Sequence, residues 1–423
     1  VEGHLSLGER KGLHYGWVIL GLGLLCVMAS LGFGRYVFTA ILPSMMKGLS
    51  LDYTQMGLLG TGNLGGYLLF AVVGGFLSVR YGPRLVISTS LFFLGILLFL
   101  TGLADSFAFA FGMRFLTGLG SGAAYVPMMG LLAAWFSSEK RGMASGIISS
   151  GAGFSMIVMG LLMNFLNRHF LDSGWRLAWH FIGVSSIVVG VLCSLFLVNR
   201  PQDKGLKAIG QKAEASVSAL NEAQTGWQRI YRCRPLYLLA FIYFAFGFSY
   251  IIYLQYFSAY LINEISFSSY RAGELFSLLG LLSLVSGPLW GTVSDLIGRG
   301  YGLAIVFFLQ SLSFLLFALP GTGVVAAYLS TILFSLSVFS VPIIMAASAG
   351  DYLGPRLAPA GLGSITVIFG IGQAIGPAIG GRMADLSGTF KGAFFLSALL
   401  AMIGCGGSLF LVKISNRRSQ SWR

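Results

Sequence analysis

The chain has 423 residues, of which 56% are apolar and only 10% charged, with a formal net charge of +13 and a mean hydropathy of +0.82. Soluble domains carry about 25% charged residues, and 27 basic and 14 acidic side chains cannot cover the surface of a soluble protein this long. That excludes a soluble enzyme, a nucleic-acid-binding protein and a disordered chain, and leaves an integral membrane protein.

At roughly 20 apolar residues per crossing, the length suits about twelve helices. In chain order the charge-poor segments run over 15–46, 54–79, 84–104, 107–136, 142–166 and 175–198. After a polar break come 235–262, 270–294, 301–319, 324–350, 358–384 and 389–412. Several exceed what an upright crossing needs, which implies tilt. The 59 glycines suit helices that approach closely inside a membrane, and no run shows the alternation of a membrane β-barrel. The first apolar stretch is too long for the core of a cleavable signal peptide. Cys26, Cys193, Cys233 and Cys405 are far apart and show no metal-binding or redox spacing.

The polar break at 199–234 separates six helices from six, with a short amphipathic piece expected around Gly226–Arg232. The expected organisation is a tail at 1–14, a six-helix bundle at 15–198, a linker at 199–234, a second bundle at 235–412 and a tail at 413–423. Of the 27 Lys and Arg residues, nineteen fall on the side of the termini and linker and six on the other. The positive-inside rule therefore places both termini and the linker in the cytoplasm. An internal repeat agrees with the division. Gly75-Phe-Leu-Ser-Val-Arg80-Tyr-Gly82-Pro-Arg84 follows the second segment, and Gly291-Thr-Val-Ser-Asp295-Leu-Ile-Gly298-Arg299 follows the eighth. A second pair, Gly142-Met-Ala-Ser-Gly146 and Ala360-Gly361-Leu-Gly363, opens segments five and eleven. Two related halves suggest a rocking-bundle transporter.

With these motifs the chain resembles the major facilitator superfamily from His14 to Lys413. The loop after the second helix is similar to that family's Gly-x-Leu-x-Asp-Arg-x-Gly-Arg, matching at Gly75, Leu77, Arg80, Gly82 and Arg84 but carrying Val79 where the family has an acid. The second copy keeps Asp295, Gly298 and Arg299. The resemblance implies that Arg80, Gly82, Arg84, Asp295, Gly298 and Arg299 form gating loops. Arg114-Phe-Leu-Thr-Gly118-Leu-Gly120 in helix four resembles the family's Arg-x-x-x-Gly-x-Gly. Gly-Phe-Gly-Arg35-Tyr, Phe246-Gly247-Phe-Ser-Tyr250-Ile-Ile-Tyr253 and Gly370-Ile-Gly-Gln373-Ala-Ile-Gly376-Pro377 look like the bacterial carboxylate-type facilitators, the monocarboxylate and oxalate–formate neighbourhood. The resemblance implies twelve membrane helices in two pseudo-symmetric six-helix bundles and a location in a bacterial inner membrane.

Arg35 is the sharpest feature. An arginine at this depth costs at least ~2.5–3.5 kcal/mol on insertion scales, and its planar fork suits a carboxylate. Either it binds substrate or it braces the outer half of helix one. Arg114 is expected to serve structure or coupling. Glu274 is a proton carrier if burial raises its pKa, or an interfacial partner of Arg271. His180 titrates in a useful range but sits in a peripheral helix. In helix seven Tyr243, Phe246, Tyr250, Tyr253 and Phe257 share one face. Expected to line a substrate cavity are Arg35, Tyr36 and Thr39, Asn63 and Tyr67, Tyr125 and Met129, Tyr250 and Tyr253, Ser337 and Ser340, and Gln373.

The expected function is secondary transport of a small organic anion, a carboxylate first of all, driven by a proton gradient or by exchange. The alternative is an exporter of neutral or cationic amphipathic compounds, against which stand the absence of an acid in helices one to six and of a proline in Ser149-Ser-Gly151-Ala-Gly153-Phe. No Gly-x-x-x-x-Gly-Lys-Ser/Thr nucleotide loop is present. No enzymatic activity, cofactor, metal or nucleic acid is expected. The partners are an anionic substrate, protons as a candidate second substrate and the lipid bilayer, and the chain is expected to act as a monomer.

Overall fold

The computed structural model describes residues 14–170, 173–210, 233–319, 321 and 323–420. Among these residues, twelve helices are long and apolar enough to cross a membrane. They are α1 (Gly16–Leu49), α2 (Tyr53–Tyr81), α3 (Pro83–Thr101), α4 (Phe107–Trp135), α5 (Ser138–His169) and α6 (Gly174–Phe196). The second set is α7 (Arg234–Asn263), α8 (Ser269–Ile297), α9 (Arg299–Ala318), α10 (Val324–Leu353), α11 (Ala360–Ser387) and α12 (Lys391–Gln420). Helices satisfy their own backbone donors and acceptors, which is what an environment without water demands.

Boundaries differ from expectation in both directions: α3 stops at Thr101 rather than 104 and α6 at Phe196 rather than 198, while others run further. Helix α5 starts at Ser138 rather than 142, and α12 runs to Gln420 rather than 412. Helical backbone is also unbroken from Ser340 to Ser387, so residues 351–357, expected as a loop, are helical. Charges mark where a chain leaves the apolar layer, whereas helical hydrogen bonding continues into water without apolar side chains. The expected amphipathic piece at Gly226–Arg232, and Lys212, Arg229 and Arg232, lie outside the described residues. The start of the linker folds back: after a short 3-10 turn at Pro201–Lys204, Ile209 donates to the Trp135 carbonyl and accepts from Ser137 N–H.

The helices pack in corresponding pairs within two six-helix bundles. Helix α3 lies on α4 and α6 as α9 lies on α10 and α12, and α1 lies on α5 as α7 lies on α11. The repeat is written into the backbone as well. Gly82 (φ 85°, ψ 144°) and Gly298 (φ 97°, ψ 143°) each end one helix and begin the next. That conformation is nearly closed to residues with a Cβ, so the two 216-residue-spaced glycines are required by the same turn. Between bundles the broad contacts are α2 with α11 and α5 with α8. Along α5 and α8, Gly153 and Gly160 face Gly280 and Gly273 so closely that a methyl group on any of them would strike the opposite backbone.

Among the described residues, hydrogen bonds and ring contacts join the bundles at the level of Arg35 and toward the face away from the termini. Thr39 donates to the Leu254 carbonyl at 2.7 Å and Gln255 Nε2 to the Met56 carbonyl at 3.0 Å. Asp385, from α11, accepts from Tyr53 N–H at 3.0 Å, Thr54 N–H at 2.7 Å and the Thr54 hydroxyl. One carboxylate from the second bundle thus caps the first turn of α2 in the first.

A candidate anion site around Arg35

The backbone of α1 departs from a regular helix over Met28–Tyr36, where it is a π-helix, with Val37 N–H bonding to the Gly32 carbonyl at 3.1 Å. Gly32 and Gly34 lie in this stretch, pressed against Ser155 of α5 and Ser121 of α4. A side chain at either position would collide, so the glycines allow α1 to sit between its neighbours. Such wide turns recur at functional sites, and this one carries Arg35.

Arg35 is 8% exposed. Its Nη2 donates to the Tyr250 hydroxyl of α7 at 2.9 Å, and Gln373 Nε2 of α11 also donates to that hydroxyl. Its guanidinium carbon lies 5.2 Å from the Tyr36 ring centroid and 5.8 Å from that of Tyr67. Tyr125 is within electrostatic range as well. Nε has no hydrogen-bond partner and no ion pair to Arg35 occurs among the described residues. Each cation–π contact contributes on the order of 0.5–2 kcal/mol, and the bond from a charged donor to Tyr250 about 1.5–3 kcal/mol. These neutral partners hold the cation in place and leave its charge uncancelled.

The wall opposite is aromatic. Tyr243, Phe246 and Tyr250 of α7 stack with Phe369 of α11, all within 13° of parallel. Tyr36 meets Phe339 of α10 at 5.9 Å. Toward the terminal face Tyr67, Tyr125 and Met129 are half-buried. On the other side of Arg35 the space narrows to a cavity of about 10 Å³, lined in part by Thr39, Asn63, Arg114 and Gln255. That is no more than a single water requires.

The structure brings Arg35, Tyr36, Tyr67, Tyr125, Tyr250 and Gln373 together. Thr39 lies just beyond them, bridging the bundles. Asn63 is turned into the α2–α4 contact, donating to the Arg114 carbonyl and the Thr117 hydroxyl. Tyr253 is not at the site. Its hydroxyl pairs with Ser330 at 2.7 Å and its ring packs on Phe314, Phe317 and Phe334 inside the second bundle. The physical reason is rotation and rise: three residues past Tyr250 the side chain is one turn further along α7 and about 60° around it. Ser337 and Ser340 are fully buried and bond backbone carbonyls of their own helix.

Arg114 is 1% exposed. It donates from Nη1 to the Gly34 carbonyl at 3.0 Å and lies over Phe38 at 4.4 Å and Trp179 at 5.3 Å, all in the first bundle. Glu274 is exposed beside Tyr270, and no ion pair between it and Arg271 occurs among the described residues. His180 lies near the start of α6 against Phe99. The residues expected to form gating loops bond within their own half of the chain. Arg84 donates to the Ser194 carbonyl at 2.6 Å and its N–H to Asn199, while Arg80 lies over Tyr81. Arg299 pairs with Asp295 and, at 3.4 Å, with Asp351. Sequence reasoning missed Tyr243 as a wall residue, Phe369 and Gln255, and it missed Asp385, whose acid reads as an ordinary helix-end charge.

Twelve crossing helices in two matched bundles, with a cation held between them, define a multi-pass membrane transporter. A Major Facilitator Superfamily model matches residues 24–365, and the chain belongs to that superfamily. It is 27% identical to the probable sulfoacetate transporter SauU of Cupriavidus necator over 92% of this chain and 93% of that one. It is 26% identical to the hexuronate transporter of Bacillus subtilis over 87% and 88% of the two chains, and 24% identical to a putative tartrate transporter of Agrobacterium vitis over 82% of each. In fold it is similar to a bacterial homolog of the human lysosomal transporter Spinster, crystallised inward-facing and occupied, with a TM-score of 0.73, 16% identity and coverage of 95% and 98%.

Proposed function

We propose that the protein carries a small organic anion across a bacterial inner membrane by alternating access, with Arg35 receiving the anionic group. The observation that carries this reading is the buried Arg35 guanidinium, joined to Tyr250 across the bundles and matched by no acid among the described residues. The relatives named above carry sulfonate, uronate and dicarboxylate substrates by their names, which supports an organic acid. A site whose charges are all positive is unsuited to a cationic compound.

Arg35 and Tyr250 belong to different bundles. An anion on Arg35 therefore meets hydroxyl and amide groups of α7 and α11 in one relative tilt of the bundles, and binding favours that tilt. With both termini and the linker cytoplasmic, and the working unit a monomer, the contacts away from the termini form the periplasmic seal. A thermal-shift and calorimetry screen of the purified protein against sulfoacetate, D-glucuronate, galactarate and tartrate tests this. At least one should stabilise the parent, with a shift that grows with ligand concentration, and none should stabilise folded Arg35→Ala. Stabilisation by amphipathic cations instead would overturn the reading.

A further inference from the structure

The positive charge that a ligand can reach beside Tyr250 is that of one guanidinium. The charged neighbour of Arg35 is Arg114. Arg114 is 1% exposed, its Nη1 is held by the Gly34 carbonyl at 3.0 Å, and its guanidinium lies over Phe38 and Trp179. Its Nε lacks a partner, yet the cavity that it shares with Arg35 measures only about 10 Å³. That space suits one water and is too small for a carboxylate. A second anionic group on a ligand held by Arg35 therefore finds no cation, and a buried charge without a partner is strongly disfavoured.

The uncharged neighbours offer ring surface more than free hydrogen-bonding groups. The centroids of Tyr243 and Phe369 are 4.2 Å apart with planes 13° from parallel, and those of Phe246 and Tyr250 are 4.6 Å apart at 9°. Phe246 and Phe369 lie 5.7 Å apart at 10°. Rings from α7 and α11 thus share one orientation beside the hydroxyl that Arg35 bonds. Much of the polar inventory is already paired. Gln373 donates to the Tyr250 hydroxyl, Thr39 to the Leu254 carbonyl, Asn63 to the Arg114 carbonyl, and Tyr243 is paired with Thr366. A chain rich in hydroxyls leaves some of them unmatched when it is enclosed, at a cost for each. A flat ring instead gains by stacking.

We infer that the anion is a monocarboxylate borne on a flat unsaturated ring, an aryl carboxylate, with its single charge on Arg35 and its ring against Phe369. This rests on the proposed role of Arg35. Phe369 is half-buried, whereas Tyr243, Phe246 and Tyr250 are buried, so it is the member of the stack with surface left to offer. It is then the residue that selects the body of the substrate, as Arg35 selects its charge. D-Glucuronate, with one charge on a saturated six-membered ring, ranks below an aryl acid. Galactarate, tartrate and sulfoacetate, each with two charges on an open chain, rank last.

Calorimetry on the full-length purified protein tests this with acids that differ in one feature at a time. Benzoate and terephthalate share the flat ring and differ by one carboxylate; benzoate and cyclohexanecarboxylate share the single charge and differ in the ring. Benzoate should bind at least about tenfold tighter than terephthalate. It should bind about two- to tenfold tighter than cyclohexanecarboxylate, the span that ring stacking supplies. Phe369→Leu keeps apolar bulk and removes the ring. It should bring benzoate down to the affinity of cyclohexanecarboxylate, while the latter changes by less than about twofold. Terephthalate, galactarate or tartrate binding as tightly as benzoate overturns the single charge. Equal affinity of the parent for benzoate and cyclohexanecarboxylate, or a preference unchanged in Phe369→Leu, overturns the ring. In each of those cases, loss of the bound acid in folded Arg35→Ala leaves the anion site standing. If none of these acids binds the parent, D-glucuronate and sulfoacetate included, the inference and the reading beneath it fall together.

Discussion

Arg35 and Arg114 are the same residue at comparable depth in adjacent helices, and each leans on two aromatic rings. Their other contacts differ. Arg114 bonds the Gly34 carbonyl and stays wholly within the first bundle. Arg35 reaches across to Tyr250, whose hydroxyl is also held by Gln373 of the second bundle. Burial alone therefore does not distinguish the proposed anion-binding cation from the other. The bundle that supplies the partner does distinguish them, and on the proposed function a contact across the two bundles is remade when they tilt, whereas one inside a bundle moves with it.

The sharpest way to break this contrast is to delete each cation in turn. Arg35→Ala should abolish anion binding, a loss of about 2–5 kcal/mol as when one partner of a buried charge pair is removed, read by calorimetry on monodisperse protein. Arg35→Lys should also bind weakly, because the ammonium lacks the planar fork. Affinity of Arg35→Ala within about twofold of the parent would reduce Arg35 to a brace.

Arg114→Ala should act on stability first. It removes a charged bond to a buried carbonyl and two ring contacts, about 1–3 kcal/mol, seen as a lower unfolding temperature. Its effect on affinity should be several-fold smaller than that of Arg35→Ala. Equal losses of affinity would erase the distinction.

Tyr250→Phe keeps the stacked ring and removes the hydroxyl shared by Arg35 and Gln373. The expected loss is about 0.5–1.5 kcal/mol, or roughly two- to tenfold in affinity. Tyr253→Phe is the control three residues on. It loses only the Ser330 bond inside the second bundle, so affinity should hold within about twofold. The smallest effect belongs to Glu274→Gln, since Glu274 is exposed beside Tyr270. Its flux should match the parent across the pH range, and a loss of flux confined to this variant would return the acid to the transport cycle.

Much of the molecule can be read from residue order alone. Runs of apolar residues that outlast a membrane's thickness determine twelve crossings. The two Gly-Arg loops spaced by 216 residues announce the repeat, and a charge inside an apolar run identifies Arg35 and Arg114. The resemblance of the Arg35, Tyr250 and Gln373 motifs also selected three residues that the fold brings together. The tertiary structure alone decided which side of each helix meets the site. In water, an amphipathic helix reveals its buried face by its polar one. In a membrane both the lipid and the protein interior accept leucine and phenylalanine, so Tyr250 and Tyr253 look alike in sequence while one meets Arg35 and the other meets Ser330. The π-stretch at Met28–Tyr36 and the Asp385 cap on α2 were hidden for a related reason. Each depends on how closely a neighbouring helix approaches, and that distance is set by packing between segments remote in sequence.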